Sequence, residues 1–160
     1  MNAQELAKRL NGVISYDEPD WANLGLWPGT RHPSQTHRAL SSILTVIGDA
    51  EPLWASTTVD FGTTNDFETA SFDVAVWTGD LVVRAERKPA ADWPVVAVVT
   101  RKALTGLRVL ESPSTTGVIG SHDRGLKLEL AYPSFTVTAH DRGGHKLPDL
   151  MQSFVDDLKA

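Results

Sequence analysis

The chain of 160 residues contains no cysteine. Disulfide frameworks, thiolate zinc sites, iron–sulfur clusters and thiol nucleophiles are therefore excluded for these residues. No apolar run approaches the ~18 residues that a membrane-spanning helix needs. The first ten residues mix charged and small apolar side chains and lack the pattern of a secretory signal. We expect a cytoplasmic protein without a membrane span.

The motifs of common enzymes are missing as well. The sequence has no glycine-rich phosphate loop, no dinucleotide fingerprint, no nucleophile elbow and no metalloprotease histidine pair. Its carboxylates are scattered along the chain, so no pair can be nominated for acid–base catalysis. These absences favour a protein that has no catalytic activity and no cofactor, although they do not exclude an enzyme.

Acidic residues outnumber basic residues in this sequence. Fifteen Lys and Arg face twenty Asp and Glu, which gives a net charge of −5. Because non-specific nucleic-acid binding depends on neutralising phosphates, we expect no nucleic-acid partner. A composition of 41% hydrophobic and 22% charged residues is ordinary for a globular protein. The length predicts a single domain over 1–160, with a helical extension at 1–50 and a strand-rich body at 51–160.

Helical periodicity occurs in three segments. The first predicted helix ends at Asn11–Gly12, and residues 13–33 are predicted to be irregular. The second covers about residues 34–48. The third lies at the C-terminus and has the most regular apolar spacing of the three. The residues that define it are Leu147, Leu150, Met151, Phe154, Val155 and Leu158.

From Pro52 onward the apolar period changes to two, which is typical of strands. Turn residues at 79–80 and at 132–134 predict two antiparallel hairpins. Residues 94–100 are almost continuously apolar, which predicts a strand covered on both faces. The fold class predicted from about seven strands is α+β. We expect a seven-stranded antiparallel curled sheet or partly open barrel, capped by a C-terminal amphipathic helix. Two N-terminal helices should pack on the sheet and cover Trp77. The alternative is an exposed Trp77, which would indicate a binding surface.

This order of elements, seven strands followed by a closing helix at Leu147–Leu158, resembles the pleckstrin-homology-like superfold. The resemblance covers about residues 52–159 and rests on element order, with no signature residue. It implies a binding module for lipid headgroups, peptides or other proteins. Lipid-binding members carry a basic cluster in the first strand loop, whereas Phe61–Phe67 contains Asp66 and no lysine or arginine. Lipid headgroup binding is therefore not expected.

A four-residue motif, His-Asp-Arg-Gly, occurs twice, at 122–125 and at 140–143. If the strands between the two copies pair, both copies lie at the same end of one hairpin. Their side chains could then hold a divalent metal, bind a phosphate or carboxylate, or supply an oriented base. The same motif is also ordinary turn chemistry. The candidate binding residues in this motif are His122, Asp123, Arg124, His140, Asp141 and Arg142.

An aromatic and basic segment, Trp27–Pro33, precedes the second predicted helix. Trp27, Arg31 and His32 are candidate binding residues, because tryptophan and arginine are typical interface anchors and a helix N-terminus attracts anions. The alternative is a tryptophan that closes the core.

These features favour a non-catalytic binding module that engages a protein partner or a second copy of itself. The alternative hypothesis is a barrel that binds a small ligand, an anion or a metal through the paired His-Asp-Arg-Gly motifs and could be an enzyme. A structural subunit of a larger assembly is a third hypothesis.

Overall fold

The computed structural model describes residues 2–24, 35–62, 70–111, 126–140 and 146–160. Its elements form two compact units, residues 1–99 and residues 100–160. Among the described residues, no helix has the length and apolarity needed to cross a membrane. The compartment and the absence of a nucleic-acid partner stay predictions, as does the single domain.

Three helices come first in the unit formed by residues 1–99. They are α1 (Ala3–Asp17), α2 (Asp20–Asn23) and α3 (Gln35–Ile47). α1 begins with a capping box. The Asn2 side chain accepts a hydrogen bond from the Glu5 N–H at 2.8 Å, and the Asn2 N–H donates to the Glu5 carboxylate at 2.9 Å. α3 confirms the helix predicted over residues 34–48.

The predicted end of the first helix at Asn11–Gly12 is wrong, because α1 continues to Asp17. Ile14 extends the buried stripe of Leu6 and Leu10 and is itself fully buried. Burying such a side chain contributes about 1.5–3 kcal/mol, which exceeds the cost of about 1 kcal/mol for a glycine inside a helix. α2 also lies within the stretch predicted to be irregular.

A four-stranded sheet completes this unit. Its strands lie in the order β1 (Trp54–Asp60), β2 (Ser71–Trp77), β3 (Leu81–Arg87) and β4 (Val95–Thr100). The β2–β3 hairpin is the one predicted from the turn at 79–80, and it pairs Val76 with Val83. One face of the sheet packs against the helices. The core on that face includes Leu10, Ile14, Trp21, Ile43, Phe72, Val74 and Val76.

Trp77 lies on the other face of the sheet. Its ring centre is 4.5 Å from that of Trp54, and both side chains are buried. The expectation that the N-terminal helices cover Trp77 is wrong, because they pack on the face that carries its neighbour Val76. Successive side chains of a strand point to opposite faces, so one sheet face cannot hold both residues.

The unit formed by residues 100–160 begins with a 3₁₀ helix, Arg101–Ala103. A three-stranded sheet follows, in the order β5 (Gly106–Glu111), β6 (Lys127–Ala131) and β7 (Thr136–His140), and then helix α4 (Lys146–Lys159). The β6–β7 hairpin confirms the second predicted hairpin. α4 packs against the 3₁₀ helix and β5. Among its described side chains, Phe154 is fully buried whereas Leu158 is 42% exposed.

The fold is α+β with two antiparallel sheets and a C-terminal helix, which confirms the predicted class. The seven strands do not form one curled sheet or barrel, so that part of the prediction is wrong for the described strands. A 3₁₀ helix follows β4 in the sequence. The next strand, β5, pairs with β6 through Gly106 and Ala131 and so belongs to the second sheet. The resemblance to the pleckstrin-homology-like superfold stays a prediction.

Candidate functional site

The described residues include only one of the candidate binding residues from the two sequence motifs. His140 is the last residue of β7, is half-buried, and pairs with Lys127 at the start of β6. The others lie outside the described residues: Trp27, Arg31, His32, His122, Asp123, Arg124, Asp141 and Arg142. The described structure therefore brings none of these candidates together. Within the described ranges, no group of three or more His, Asp or Glu could hold a metal ion.

A different feature stands out in the unit formed by residues 1–99: strand β4, at the edge of the four-stranded sheet. Among the described strands, only β3 pairs with β4. Val95 is 72% exposed and Val98 is 46% exposed, while Trp93, just before the strand, is 58% exposed. We call residues 93–100 the β4 edge. The prediction that this apolar run is covered on both faces is wrong.

The β4 edge lacks the features that usually protect an edge strand. Edge strands commonly carry charges, a bulge or a proline in mid-strand, because unpaired main-chain groups recruit other chains. Residues 95–100 contain no charge, no glycine and no proline. Pro94 precedes the strand and is itself buried. The β4 edge is thus a row of main-chain donors and acceptors flanked by valine side chains.

Each of the other edge strands in the described structure has a feature that β4 lacks, although β5 also exposes Val109 and Leu110. On β1, the Thr57 N–H donates to the buried carboxylate of Asp17 at 2.5 Å, so α1 satisfies an edge group of that strand. On β5, the register shifts between Val109 and Glu111, which is a bulge or similar irregularity. β7 has five residues and exposes threonine hydroxyls rather than apolar side chains.

The loop that leads into β4 is held by Arg87, a buried side chain at the end of β3. Its Nε donates to the Ala91 carbonyl at 2.9 Å, and another guanidinium nitrogen donates to the Ala70 carbonyl. The Ala91 N–H donates to the Lys88 carbonyl at 3.1 Å, which closes a turn. Within that turn Ala90 has a φ of 62°, in the left-handed region that a side chain disfavours.

Arg38 of α3 fixes the residues just after this turn. Its guanidinium donates to the Asp92 carbonyl and lies 5.2 Å from the ring centre of Trp93, within the range of a cation–π interaction. The two arginines, Arg38 and Arg87, therefore tie the entrance of β4 to α3 and to the β2–β3 hairpin. An exposed tryptophan held in one position can contact a partner at a small entropic cost.

Strands β2 and β3 of the same sheet carry a charge cluster. Asp73 of β2 lies directly opposite Glu86 of β3, and Arg84 contacts both, with Nη2–O distances of 2.6 Å to Asp73 and 3.8 Å to Glu86. The hydrogen bond to Asp73 raises the pKa of Arg84 above its usual value. Because this pKa is higher in the folded protein, the charge of Arg84 contributes to stability at every pH below the unfolded pKa of arginine, and the contribution is lost only as the pH rises through the folded pKa. We infer that this cluster holds β2 against β3 near neutral pH.

Comparison of the chain with protein-family models, curated proteins and solved structures finds no match. The sequence did contain a signal for the β4 edge, because Pro94 stands at the head of the apolar run and proline is found mainly at edges and strand ends.

Proposed function

We propose that this protein is a non-catalytic binding module that engages a protein partner by adding a strand to the sheet at β4. The observation that carries the proposal is the exposure of an uncharged apolar edge strand at Val95 and Val98. In strand addition, main-chain hydrogen bonds supply affinity and alternate side chains supply specificity. Both components are present on the β4 edge.

Trp93 is the anchor in this proposal. Tryptophan is enriched among the residues that dominate binding energy, and at 58% exposure this side chain still has apolar surface to bury. Its contact with Arg38 holds it beside the first residue of the strand. The resemblance to the pleckstrin-homology-like superfold, whose members are mostly binding modules, supports the same general class.

The test uses a peptide with the sequence of residues 93–100, WPVVAVVT, extended by a short lysine tail for solubility and labelled with a fluorophore. Binding to the full chain is followed by fluorescence anisotropy. The variant Val98→Lys places a charge in β4. Val109→Lys is the matched control, since Val109 is 51% exposed against 46% for Val98 but lies on β5.

We expect the peptide to bind the native protein and Val109→Lys equally. It should bind Val98→Lys at least about tenfold more weakly, a loss of about 1.4 kcal/mol. The absence of binding to the monomeric native protein, or equal binding to both lysine variants, would contradict strand addition at β4. Circular dichroism spectra of the three proteins establish that they share one fold.

A second candidate function, the binding of a metal or an anion near His140, is favoured by one observation. Lys127 at the start of β6 pairs with His140 at the end of β7. This pairing supports the candidate, because residues 122–125 precede β6 in the sequence and residues 141–143 follow β7. A thermal-shift comparison of the native protein with His122→Ala/His140→Ala, in Zn²⁺, Mn²⁺ or phosphate, tests it. Ligand at 100 times its Kd adds about 2.7 kcal/mol of stability. A shift that occurs only in the native protein supports this site, and equal melting temperatures exclude these ligands.

A further inference from the structure

The sequence of the β4 edge indicates which partner it binds, because residues 95–99 read Val-Val-Ala-Val-Val in both directions. We infer that the strand added at β4 is β4 of a second copy of this chain, paired antiparallel about a twofold axis at Ala97. This inference rests on the proposed function, since it names the occupant of the same edge.

The palindrome matters because a twofold interface must be self-complementary. With the axis at Ala97, Val95 faces Val99 of the second copy and Val96 faces Val98 of the second copy. Directly opposite residues in an antiparallel pair share a face and pack together. Each valine therefore meets another valine, and the two small Ala97 side chains meet at the axis. No other register gives this match along all five positions.

The charge and the ends of the strand support the same pairing. No charged side chain lies between Val95 and Val99, so pairing β4 with itself places no like charges opposite each other. In this register Pro94 would face Thr100 of the second copy. Proline has no N–H to donate, so the hydrogen-bonded ladder ends there and the self-complementary segment is used in full.

The hydrogen bond between Asp17 and β1 favours an assembly of two copies. Pairing through β4 joins two four-stranded sheets, and the free edges of the joined sheet are then the two β1 strands. On each β1, Asp17 already accepts a hydrogen bond from the Thr57 N–H. A twofold contact pairs the β4 edges of both copies with each other and closes the assembly, whereas a head-to-tail contact would continue into a filament.

The absence of cysteine from the native chain permits a direct test of the register. Ala97→Cys introduces a single thiol at the proposed axis, where directly opposite Cα atoms lie about 4.5–5.5 Å apart, a distance that a disulfide spans. Val109→Cys places the thiol on β5 as a matched control. Under mild oxidation, we expect Ala97→Cys to form a covalent dimer at least tenfold faster than Val109→Cys. Equal rates overturn the proposed axis.

A charge exchange tests the pairing without cysteine. Val95→Lys/Val99→Lys places lysines opposite lysines in the proposed dimer, and Val95→Glu/Val99→Glu places glutamates opposite glutamates. Light scattering should give the native protein twice the 17.4 kDa of one chain and each double variant one chain mass. An equimolar mixture of the two variants should recover the dimer, because lysines then face glutamates. A mixture that stays monomeric contradicts this register, and circular dichroism establishes that each variant is folded.

Failure of this inference can be distinguished from failure of the proposed function. A native protein that is monomeric at all concentrations but binds the 93–100 peptide retains strand addition and overturns self-pairing. A monomer that does not bind the peptide overturns both. A dimer that survives the double-lysine substitution overturns the β4 interface.

Discussion

The guanidinium of Arg38 donates to the main-chain carbonyl of Asp92 and lies over the ring of Trp93. Asp92 is 54 residues away in sequence, so this contact ties helix α3 to the first residues of the β4 edge. If a fixed Trp93 anchors a partner, the strength of binding at β4 depends on a helix that contributes no residue to the strand. That dependence can be measured.

Arg38→Ala should weaken binding of the 93–100 peptide about threefold to tenfold. The reason is that an exposed cation–π contact contributes about 0.5–1 kcal/mol and the loss of the Asp92 bond frees the loop further. The variant should keep its helical circular dichroism signal. Arg9→Ala removes an exposed arginine that pairs with Glu51, and it serves as the control. Equal peptide binding by both variants would show that Arg38 does not position Trp93.

Ala90→Gly should stabilise the protein. The left-handed φ of 62° at Ala90 costs a residue that carries a side chain about 1–2 kcal/mol, and glycine avoids this cost. The greater conformational entropy of glycine in the unfolded state offsets about 0.5–1 kcal/mol of that gain. The expected net gain is about 0.5–1 kcal/mol in the free energy of unfolding, measured by urea denaturation. Ala90→Val should lower it, because a branched side chain fits this conformation less well. An unchanged or lower stability of Ala90→Gly would argue against a strained turn.

Asp17→Ala should both destabilise the protein and expose its β1 edge. The carboxylate is buried and accepts the Thr57 N–H, so its removal leaves a buried donor unsatisfied at a cost of about 1–3 kcal/mol. The newly available edge should let the proposed dimer grow into larger species, which light scattering detects. Asp17→Asn keeps an acceptor oxygen and should associate less. If Asp17→Ala melts lower but forms no larger species, Asp17 stabilises the fold without protecting the edge.

The ion pair between Arg101 and Asp157 should contribute to the stability of the unit formed by residues 100–160. Arg101 Nε and Nη2 donate to one Asp157 oxygen at 2.9 and 2.7 Å, and both side chains are mostly buried. Asp157→Leu leaves a buried guanidinium without its carboxylate and should cost about 3 kcal/mol. Arg101→Met/Asp157→Leu replaces both charges by apolar groups and should recover most of that loss. Urea denaturation of the single and double variants distinguishes this result from simple additivity.

Local periodicity predicted the elements that depend on neighbouring residues. The turn at 79–80 and the alternation around it predicted the β2–β3 hairpin, and the spacing of Leu40 and Ile43 predicted α3. Gly12 misled the prediction of α1, because a glycine is a local stop signal and the burial of Ile14 that outweighs it depends on the tertiary fold.

Features that depend on residues distant in sequence could not be predicted from local periodicity. The run at 94–100 has the composition of a covered strand, and only the strand order shows that β4 lies at an edge. The division into two sheets depends on the pairing of Gly106 with Ala131, which no local pattern reveals. The contact of Arg38 with Trp93 links a helix to a loop and leaves no periodic signal.

Amide hydrogen exchange along the chain is the decisive measurement for strand addition at β4, because it reports which main-chain N–H groups a partner protects. Exchange is measured on the native protein at low and high concentration, and at low concentration with the unlabelled 93–100 peptide. If a strand is added at β4, the added protection is concentrated in residues 95–99 and is absent from Val98→Lys. Protection that appears elsewhere while the β4 amides exchange unchanged would contradict it.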